Sequence, residues 1–194
     1  MLATANRAKA REMAALLEGV PFRILNLADF PGVTLPPEGE SSYGDNALAK
    51  ARAVASATGE MSLADDSGIE VDALGGGPGV LSARYGGRGL SDPERCELML
   101  REMAAVQREK RTARFRCLIA IVCPRRRREI TFEGVVEGIL LPAPSGDGGF
   151  GYDPLFFYPP LGRGFAEISA EEKNRVSHRA QACQQARAWL LAEP

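Results

Sequence analysis

Two adjacent aspartates, Asp65 and Asp66, interrupt an apolar stretch and are followed by Ser67 and Gly68. We interpret residues 61–72 as a strand, an acidic tip and a second strand, because a glycine permits a turn at little cost. Successive residues of an extended segment point to opposite faces, so one of the two carboxylates is free to face a cleft. Paired carboxylates at a strand end suit Mg²⁺, which prefers oxygen ligands. The alternative is a turn whose side chains cap the backbone.

A second candidate is an anion site at residues 4–9. Asn6 stands where a helix cap belongs, because apolar residues follow it at helical spacing. A helix start exposes backbone N–H groups, and Lys9 adds a positive charge one turn in. The segment lacks the glycines and the Gly-Lys-Ser/Thr ending of a P-loop. A capped helix with a solvated lysine is therefore the alternative.

The next helix is expected at residues 45–58, with Gly59 ending it. Asp45 lies in its first turn, where an acid complements the helix dipole. Alternatively, Asp45 faces Asp66 and helps to hold a metal ion. Lys50, further along the same helix, is either a surface residue or a second phosphate contact.

A glycine-rich loop at residues 145–154 contains two aromatic residues, Phe150 and Tyr152. Its glycines let the backbone approach a ligand closely. An aromatic side chain exposed on such a loop suits a flat base, since stacking contributes about 1–3 kcal/mol per base. The alternative is that the aromatic side chain packs back into the core.

Basic residues near the C-terminus form a further candidate group. The pattern at residues 169–172 is a capping box that leads to Lys173. Ser177 is expected to cap a final helix through about residue 191, which places His178 and Arg179 in its first turn. Positive charge at that end of a helix is unfavourable without a partner, so a ligand contact is one interpretation. A structural histidine and a surface arginine are the other.

Alternating helices and strands must position these groups. Residues 1–4 resemble the end of a buried strand, and a capping box at residues 91–94 opens another helix. Strands are expected at residues 113–122 and 130–136, and the second half of the first is apolar on both faces, as in a central strand. The arginines at 125–128 indicate a solvated hairpin tip, with nucleic-acid binding as the alternative.

The composition narrows the function classes. Lysine and arginine number 24 against 25 acidic residues, and the net charge of -1 argues against a protein whose affinity comes from neutralising many backbone phosphates, while it leaves a local basic pocket open. The four cysteines form no CxxC pair, which argues against zinc and dithiol chemistry and favours a reducing cytoplasm. His178 is the only histidine, so a His-rich metal site is excluded. No run of 18 apolar residues occurs, and we expect no membrane association.

Six motifs follow one another in the order Thr4-x-Asn6-x-x-Lys9, Asp45-Asn46-Ala47 with Lys50-Ala51, Ala64-Asp-Asp-Ser-Gly68, Gly77-Pro-Gly79 with Ser82-Ala-Arg-Tyr85, Gly148-Gly-Phe-Gly-Tyr-Asp-Pro154, and Glu172-Lys173 with Ser177-His-Arg179. This series closely resembles the inosine triphosphate pyrophosphatase family, from residue 3 to about residue 185. The resemblance implies an α/β fold with an elongated mixed β-sheet flanked by helices. It implies a single domain, 1–194, of two lobes with the active-site cleft between them.

The same resemblance implies an activity. A cytoplasmic homodimer that requires Mg²⁺ would cleave ITP, dITP and XTP between the α- and β-phosphates. The products would be the nucleoside monophosphate and pyrophosphate. The purine nucleoside triphosphates would be its partners, without nucleic acid or membrane.

The resemblance also implies roles for individual residues. Asp66 is expected to be the general base and, with Asp45, a metal ligand, while Ser67 contacts the substrate. The triphosphate is expected to bind Thr4, Ala5, Asn6, Arg7, Ala8 and Lys9. The purine is expected to be surrounded by Phe150, Gly151, Tyr152, Asp153, Lys173, His178 and Arg179. The family often has Gly or Ser where this chain has Ala5, and commonly Glu where it has Asp45. The shorter Asp45 would therefore reach a metal directly or through a water.

Two other functions remain open. One is a related pyrophosphatase that acts on modified pyrimidine or methylated nucleotides. The other is a nucleotide sensor or RNA-binding module that uses the arginines at 125–128. Pyrophosphate release from a panel of nucleotides separates the first from the purine enzyme, and replacement of Asp66 separates the second.

Overall fold

The computed structural model of the protein describes residues 1–192. The helices are α1 (Arg7–Leu16), α2 (Tyr43–Thr58), α3 (Asp92–Glu102), α4 (Ala170–Val176) and α5 (His178–Ala192). The strands are β1 (Ser62–Val71), β2 (Thr112–Cys123), β3 (Arg128–Leu140), β4 (Phe156–Tyr158) and β5 (Arg163–Gly164). Short 3-10 turns lie between them. Across the described residues, no helix is long and apolar enough to cross a membrane.

The five strands form one sheet in the order β1-β2-β3-β4-β5. β3 and β4 are antiparallel with Leu140 opposite Phe156, and β4 and β5 are antiparallel with Phe157 opposite Gly164. Leu2 adds parallel bridges to Asn26 and Leu63. Within residues 1–192, parallel pairing is limited to these isolated bridges, and the combination of helices with a β-sheet confirms the predicted α/β class. The expected strand at residues 1–4 is reduced to the bridges made by Leu2.

The chain forms two compact units, and the boundaries between them fall inside β1, β2 and β3. The first unit comprises Met1–Asp66, Cys117–Gly134 and the described residues from His178 onward. The second unit comprises Ser67–Arg116 and Val135–Ser177. Each unit has its own buried apolar residues.

The core of the first unit has two parts. One part is rich in alanine because α2 packs closely against its neighbours, and it includes Ala47, Ala51, Val54, Ala55, Ala64 and Ala120. The other part includes Leu2, Met13, Leu17, Ile119, Ile121, Cys183 and Leu190. In the second unit the rings of Phe115 and Phe165 pack against Phe156, with centroids 4.6 and 4.9 Å away.

A glycine on β3 lets α5 lie very close to the strand. A Cβ atom added to Gly134 would lie 2.1 Å from the carbonyl oxygen of His178 and 2.8 Å from the backbone nitrogen of Ala182. Both neighbours are backbone atoms of the helix, which cannot move aside by a change of rotamer. Gly134 therefore fixes where the first turns of α5 pack in the first unit.

The caps predicted at Asn6, Ser91 and Ser169 are confirmed. The Asn6 side chain accepts hydrogen bonds from the backbone N–H groups of Ala8 (2.9 Å) and Lys9 (3.1 Å). Ser91 and Ser169 both form capping boxes. Helix α2 begins two residues earlier than expected, because Ser42 supplies its cap. Local hydrogen bonds of this kind satisfy the N–H groups that a helix start leaves unpaired.

The acidic tip predicted within residues 61–72 is wrong, as is the alternative of a turn. β1 is one continuous strand through both aspartates, and it pairs with β2 in the sheet. Lys9 of α1, Lys50 of α2 and Arg179 of α5 neutralise the two carboxylates, which allows both to remain inside the fold. The opposite orientation of successive residues is nevertheless retained.

The arginines at 125–128 lie where a hairpin tip was predicted. Pro124–Arg126 forms a 3-10 turn between β2 and β3, and Arg127 has a left-handed backbone with φ of 50°. All four arginines are exposed. The guanidinium of Arg128 lies 5.3 Å from the centre of the Trp189 ring. The structure thus agrees with a solvated turn.

Candidate active site

The first aspartate of β1 is enclosed by cations. Asp65 is 1% exposed, and its Oδ2 lies 3.0 Å from the ammonium of Lys9 and 3.3 Å from Nη2 of Arg179. Burial alone would raise the pKa of Asp65, but the charges of Lys9, Arg179 and Lys50 outweigh it and hold the pKa well below its usual range. Asp65 is therefore an ionised structural anion beside Lys9.

The second aspartate faces the other way. Asp66 is 4% exposed, and it accepts hydrogen bonds from Nδ2 of Asn46 (3.0 Å) and from Nζ of Lys50 (3.3 Å). Burial raises the pKa of Asp66, and Lys50 and Asn46 offset this only in part. A raised pKa brings a carboxylate closer to the value that suits a general base near neutral pH.

Lys50 is shared between carboxylates. Its ammonium also donates to Oε1 of Glu38 at 2.6 Å. Burial lowers the pKa of Lys50, but Asp66, Asp65 and Glu38 together outweigh burial and raise it. Three carboxylates together stabilise the charged form of Lys50, whereas Lys50 only partly offsets the effect of burial on Asp66. The pKa values of both groups are therefore raised.

Asp45 is exposed in the first turn of α2, and its backbone N–H donates to Oγ of Ser42. The contact with Asp66 comes instead from the next residue, Asn46. Adjacent helix residues point about 100° apart, so the two side chains cannot face the same way. The role of Asp45 as a metal ligand stays a prediction.

Several polar groups of the loop before α1 already form hydrogen bonds within the protein. Asn6 caps Ala8 and Lys9, and Oγ1 of Thr4 accepts from the backbone N–H of Asn6 at 3.2 Å. A cavity of about 600 Å³ in the first unit adjoins this loop, and its lining includes Thr4, Ala5, Arg7, Asn26 and Asp29. Ala5, Asn6 and Arg7 are exposed, while Thr4, Ala8 and Lys9 are half-buried.

In the second unit, Asp153 organises the glycine-rich loop. Asp153 and Lys173 are 2% and 4% exposed, and Oδ2 of Asp153 accepts from the Lys173 ammonium and from the backbone N–H of Phe150 (2.8 Å). The ammonium of Lys173 also lies 4.7 Å from the centre of the Phe150 ring. Attraction between a cation and an aromatic face favours this arrangement. Phe150, Asp153 and Lys173 thus form one connected group.

The two aromatics of that loop differ in placement. Tyr152 is buried in the core, where its hydroxyl donates to the carbonyl of Ser82 at 2.9 Å. Phe150 is half-buried. For Tyr152, the alternative prediction that the aromatic side chain packs into the core is therefore confirmed. The loop is also held by Gly151, whose N–H donates to Asp92 at 2.7 Å.

The remaining predicted residues are Ser67 on β1 and the pair His178 and Arg179 at the start of α5. Ser67 is half-buried on β1, in the second unit. His178 and Arg179 are both buried at the start of α5, so the expectation of a surface arginine is wrong. The charge of Arg179 is balanced within the first unit by Asp65 and Glu12. The partner that its position in the helix requires is supplied by the protein itself.

A family profile described as the Ham1 family matches residues 1–189, nearly the whole chain. This chain belongs to the Ham1 family. A dITP/XTP pyrophosphatase of Geobacter sulfurreducens is 49% identical to this Ham1 chain over 182 residues, which cover 94% of this chain and 91% of that protein. One of Thermus thermophilus is 50% identical over 182 residues, covering 94% and 86%. The resemblance inferred from the motifs is confirmed.

Solved structures agree with the fold of this Ham1 chain. A HAM1 protein from Coxiella burnetii has a TM-score of 0.86 at 37% identity, covering 98% of this chain and 97% of that chain. The Ham1 protein of Staphylococcus aureus has a TM-score of 0.87 at 33% identity, covering 100% and 98%. The α/β architecture is therefore that of known Ham1 proteins.

Sequence reasoning gave no role to three residues of the site in this Ham1 chain. Glu12 follows Lys9 by three positions on α1, a spacing that puts both on one helix face. Asn46 stands beside Asp45 in the same motif. Glu38 lies in a loop rich in proline and glycine, where no periodic pattern marks it. The sequence near Glu12 and Asn46 thus contained a pattern that could have pointed to them, whereas the sequence near Glu38 contained none.

Proposed function

We propose that this Ham1 protein hydrolyses the non-canonical purine nucleoside triphosphates ITP, dITP and XTP to nucleoside monophosphate and pyrophosphate. The main support for the proposal is the environment of Asp66. This carboxylate is buried, accepts hydrogen bonds from Asn46 and Lys50, and has a pKa raised by burial. The names of the relatives, which are dITP/XTP pyrophosphatases, support the same reaction. Removal of deaminated purines from the nucleotide pool would be its purpose.

A divalent metal ion accompanies this class of reaction, and we propose Mg²⁺. Among residues 1–192 there is no cluster of three or more His, Cys, Asp and Glu side chains suited to a metal. Mg²⁺ nevertheless uses one or two carboxylates together with water and substrate phosphates. Asp66 and Glu38, which share the Lys50 ammonium, fit that requirement, and Asp45 would join directly or through water. When bound, the ion supplies positive charge to the phosphate oxygens.

The side chains of the first unit provide the rest of the phosphate chemistry. Lys9 and the segment that leads into α1, from Thr4 to Ala8, bind the triphosphate, whose negative charge would otherwise repel an attacking water. Lys50 adds a second cation. Asp66 orients the water and accepts its proton as the water oxygen bonds to the α-phosphorus, and the bond from the α-phosphorus to pyrophosphate breaks.

The second unit supplies recognition of the base. Phe150 offers its ring for stacking, and Lys173, Gly151, Tyr152 and Asp153 hold or surround it. Hypoxanthine and xanthine present a 6-oxo acceptor where adenine presents an amino donor. Lys173 would donate to the oxo group, whereas the amino group of adenine is itself a donor and cannot accept from Lys173, which supports selectivity against ATP. Ser67, His178 and Arg179 complete the proposed substrate contacts.

The domain organisation, the oligomeric state and the cellular location are also proposals. We propose one domain, 1–194, of two lobes, a homodimer in solution and a cytoplasmic location. Light scattering on the purified protein tests the dimer, which requires a mass of twice 20.8 kDa.

The proposal is tested by Asp66→Asn with pyrophosphate release as the readout. Loss of a general base lowers kcat by about 10²–10⁴-fold, while ITP binding measured by calorimetry should persist. Asp147→Asn, an exposed change in the loop at residues 145–154, is the control. Chelation of divalent ions should stop wild-type turnover, and added Mg²⁺ should restore it.

A substrate panel completes the test. ITP, dITP and XTP should be cleaved much faster than GTP, dTTP and dUTP. Equal rates on all six would refute the purine assignment. Retained turnover in Asp66→Asn would refute the role of Asp66. Loss of hydrolysis when residues 125–128 are neutralised would favour a role for the arginine turn.

A further inference from the structure

Four charged side chains of the first unit form a connected chain of alternating sign. Nη1 of Arg179 donates to Oε2 of Glu12, and Nη2 and Nε of Arg179 lie 3.3 and 3.4 Å from Oδ2 of Asp65. The same Oδ2 atom lies 3.0 Å from the ammonium of Lys9. The order is therefore Glu12, Arg179, Asp65, Lys9, with two anions and two cations.

Asp65 serves two cations at once, and Glu12 relieves that competition. Arg179 is 2% exposed and must keep its charge compensated, because removing one partner of a buried ion pair is strongly destabilising. Without Glu12, Arg179 would depend on Asp65 more heavily and would draw the carboxylate away from Lys9. The position of the Lys9 ammonium is thus coupled to Glu12 through Arg179 and Asp65.

Helix α1 carries both ends of the chain of charges. Glu12 and Lys9 are three residues apart on the same helix face, and α1 packs against α5, which carries Arg179. A shift of the Arg179 guanidinium towards or away from Asp65 therefore changes the surroundings of Lys9 without unfolding the helix start. The cap made by Asn6 fixes the backbone there independently.

We propose that Glu12 is a positioning residue for phosphate binding: by holding Arg179, it leaves Asp65 free to fix the Lys9 ammonium where a triphosphate binds. This inference rests on the proposed function for the role of Lys9, and it adds Glu12 to that site. A merely structural Glu12 would instead stabilise the packing of α1 on α5 and leave anion affinity unchanged in the folded protein.

Calorimetric binding of inorganic triphosphate tests the proposal without requiring turnover. Lys9→Met should raise the Kd by about ten- to a hundredfold, the loss expected for one charged contact. Glu12→Gln should raise the Kd by about three- to tenfold when Lys9 is present, and by less than twofold in the Lys9→Met background. That non-additivity distinguishes positioning from a structural role.

Two further variants complete the design. Glu18→Gln, an exposed glutamate just after α1, is the control and should leave the Kd unchanged. If Glu12→Gln does not fold, Glu12→Asp replaces it, because a shorter carboxylate retains the charge and loosens the contact. An unchanged Kd in the folded Glu12 variant, or an equal change with and without Lys9, overturns the proposal. A wild-type protein that binds triphosphate but cleaves no nucleotide would refute the proposed function alone.

Discussion

The buried pair of Asp153 and Lys173 makes a quantitative prediction about stability. Oδ2 of Asp153 accepts from the Lys173 ammonium and from the Phe150 N–H, and both charged residues are almost completely buried. The substitution Asp153→Asn keeps the size of the side chain and removes its charge. The ammonium of Lys173 would then be buried without that counter-charge.

The expected loss of stability follows from the burial of the pair. Removing one partner of a buried ion pair typically lowers the free energy of unfolding by about 3–5 kcal/mol. For a chain of this length, each kcal/mol lowers the Tm by about 2–4 °C. Asp153→Asn should therefore lower the Tm by about 6–20 °C in the absence of nucleotide.

Urea denaturation and scanning calorimetry measure this loss, and two variants make the test specific. Asp147→Asn, exposed in the same loop, should change the free energy of unfolding by less than about 0.5 kcal/mol. The double variant Asp153→Asn/Lys173→Met removes both charges and should recover at least half of the loss. A Tm for Asp153→Asn equal to that of the wild type would refute the reasoning, as would a double variant whose loss equals the sum of the two single losses.

Two other predictions concern packing and thiol chemistry. Gly134→Ala places a Cβ atom 2.1 Å from a helix carbonyl and should cost at least about 1–3 kcal/mol in urea denaturation. Gly32→Ala, for which no described heavy atom lies within 4 Å, should be nearly neutral, and equal losses for both would contradict the packing argument. Ellman's reagent should modify Cys123 first at pH 8, because it is half-exposed, and all four cysteines after denaturation. The pKa of the Cys96 thiol is raised to about 11 and that of the Cys117 thiol to about 12, mainly because both are buried. Both thiols therefore stay protonated at pH 8. Cys123→Ser should abolish the fast phase, and a fast phase that persists would show that a buried thiol is accessible.

Features with a short range in sequence were predictable. The caps at Asn6, Ser91 and Ser169 each involve hydrogen bonds between residues no more than three apart. The strand expected at residues 113–122 is confirmed within one residue at each end. A side chain that bonds to the next turn of its own helix acts the same way in any fold, so local sequence suffices for it.

The loop at residues 145–154 shows where local information fails. Phe150 and Tyr152 stand two residues apart in the same glycine-rich sequence, and nothing local distinguishes them. Tyr152 packs into the core because its hydroxyl meets the carbonyl of Ser82, 70 residues away. Phe150 lies against Lys173, which follows it by more than twenty positions. Contacts with distant residues, rather than the sequence of the loop, therefore determine where each aromatic side chain lies.

The sequence by itself determined the family, the helix starts and the rule that Asp65 and Asp66 point in opposite directions, because alternation is a property of any extended backbone. Only the tertiary structure decided that the strand continues through both aspartates and which cation each one meets. Arg179 is 114 positions from Asp65, and Lys50 is 16 positions from Asp66. Such contacts depend on how distant helices pack, and their compensation of buried charge is the reason that a segment resembling an exposed turn lies inside the fold.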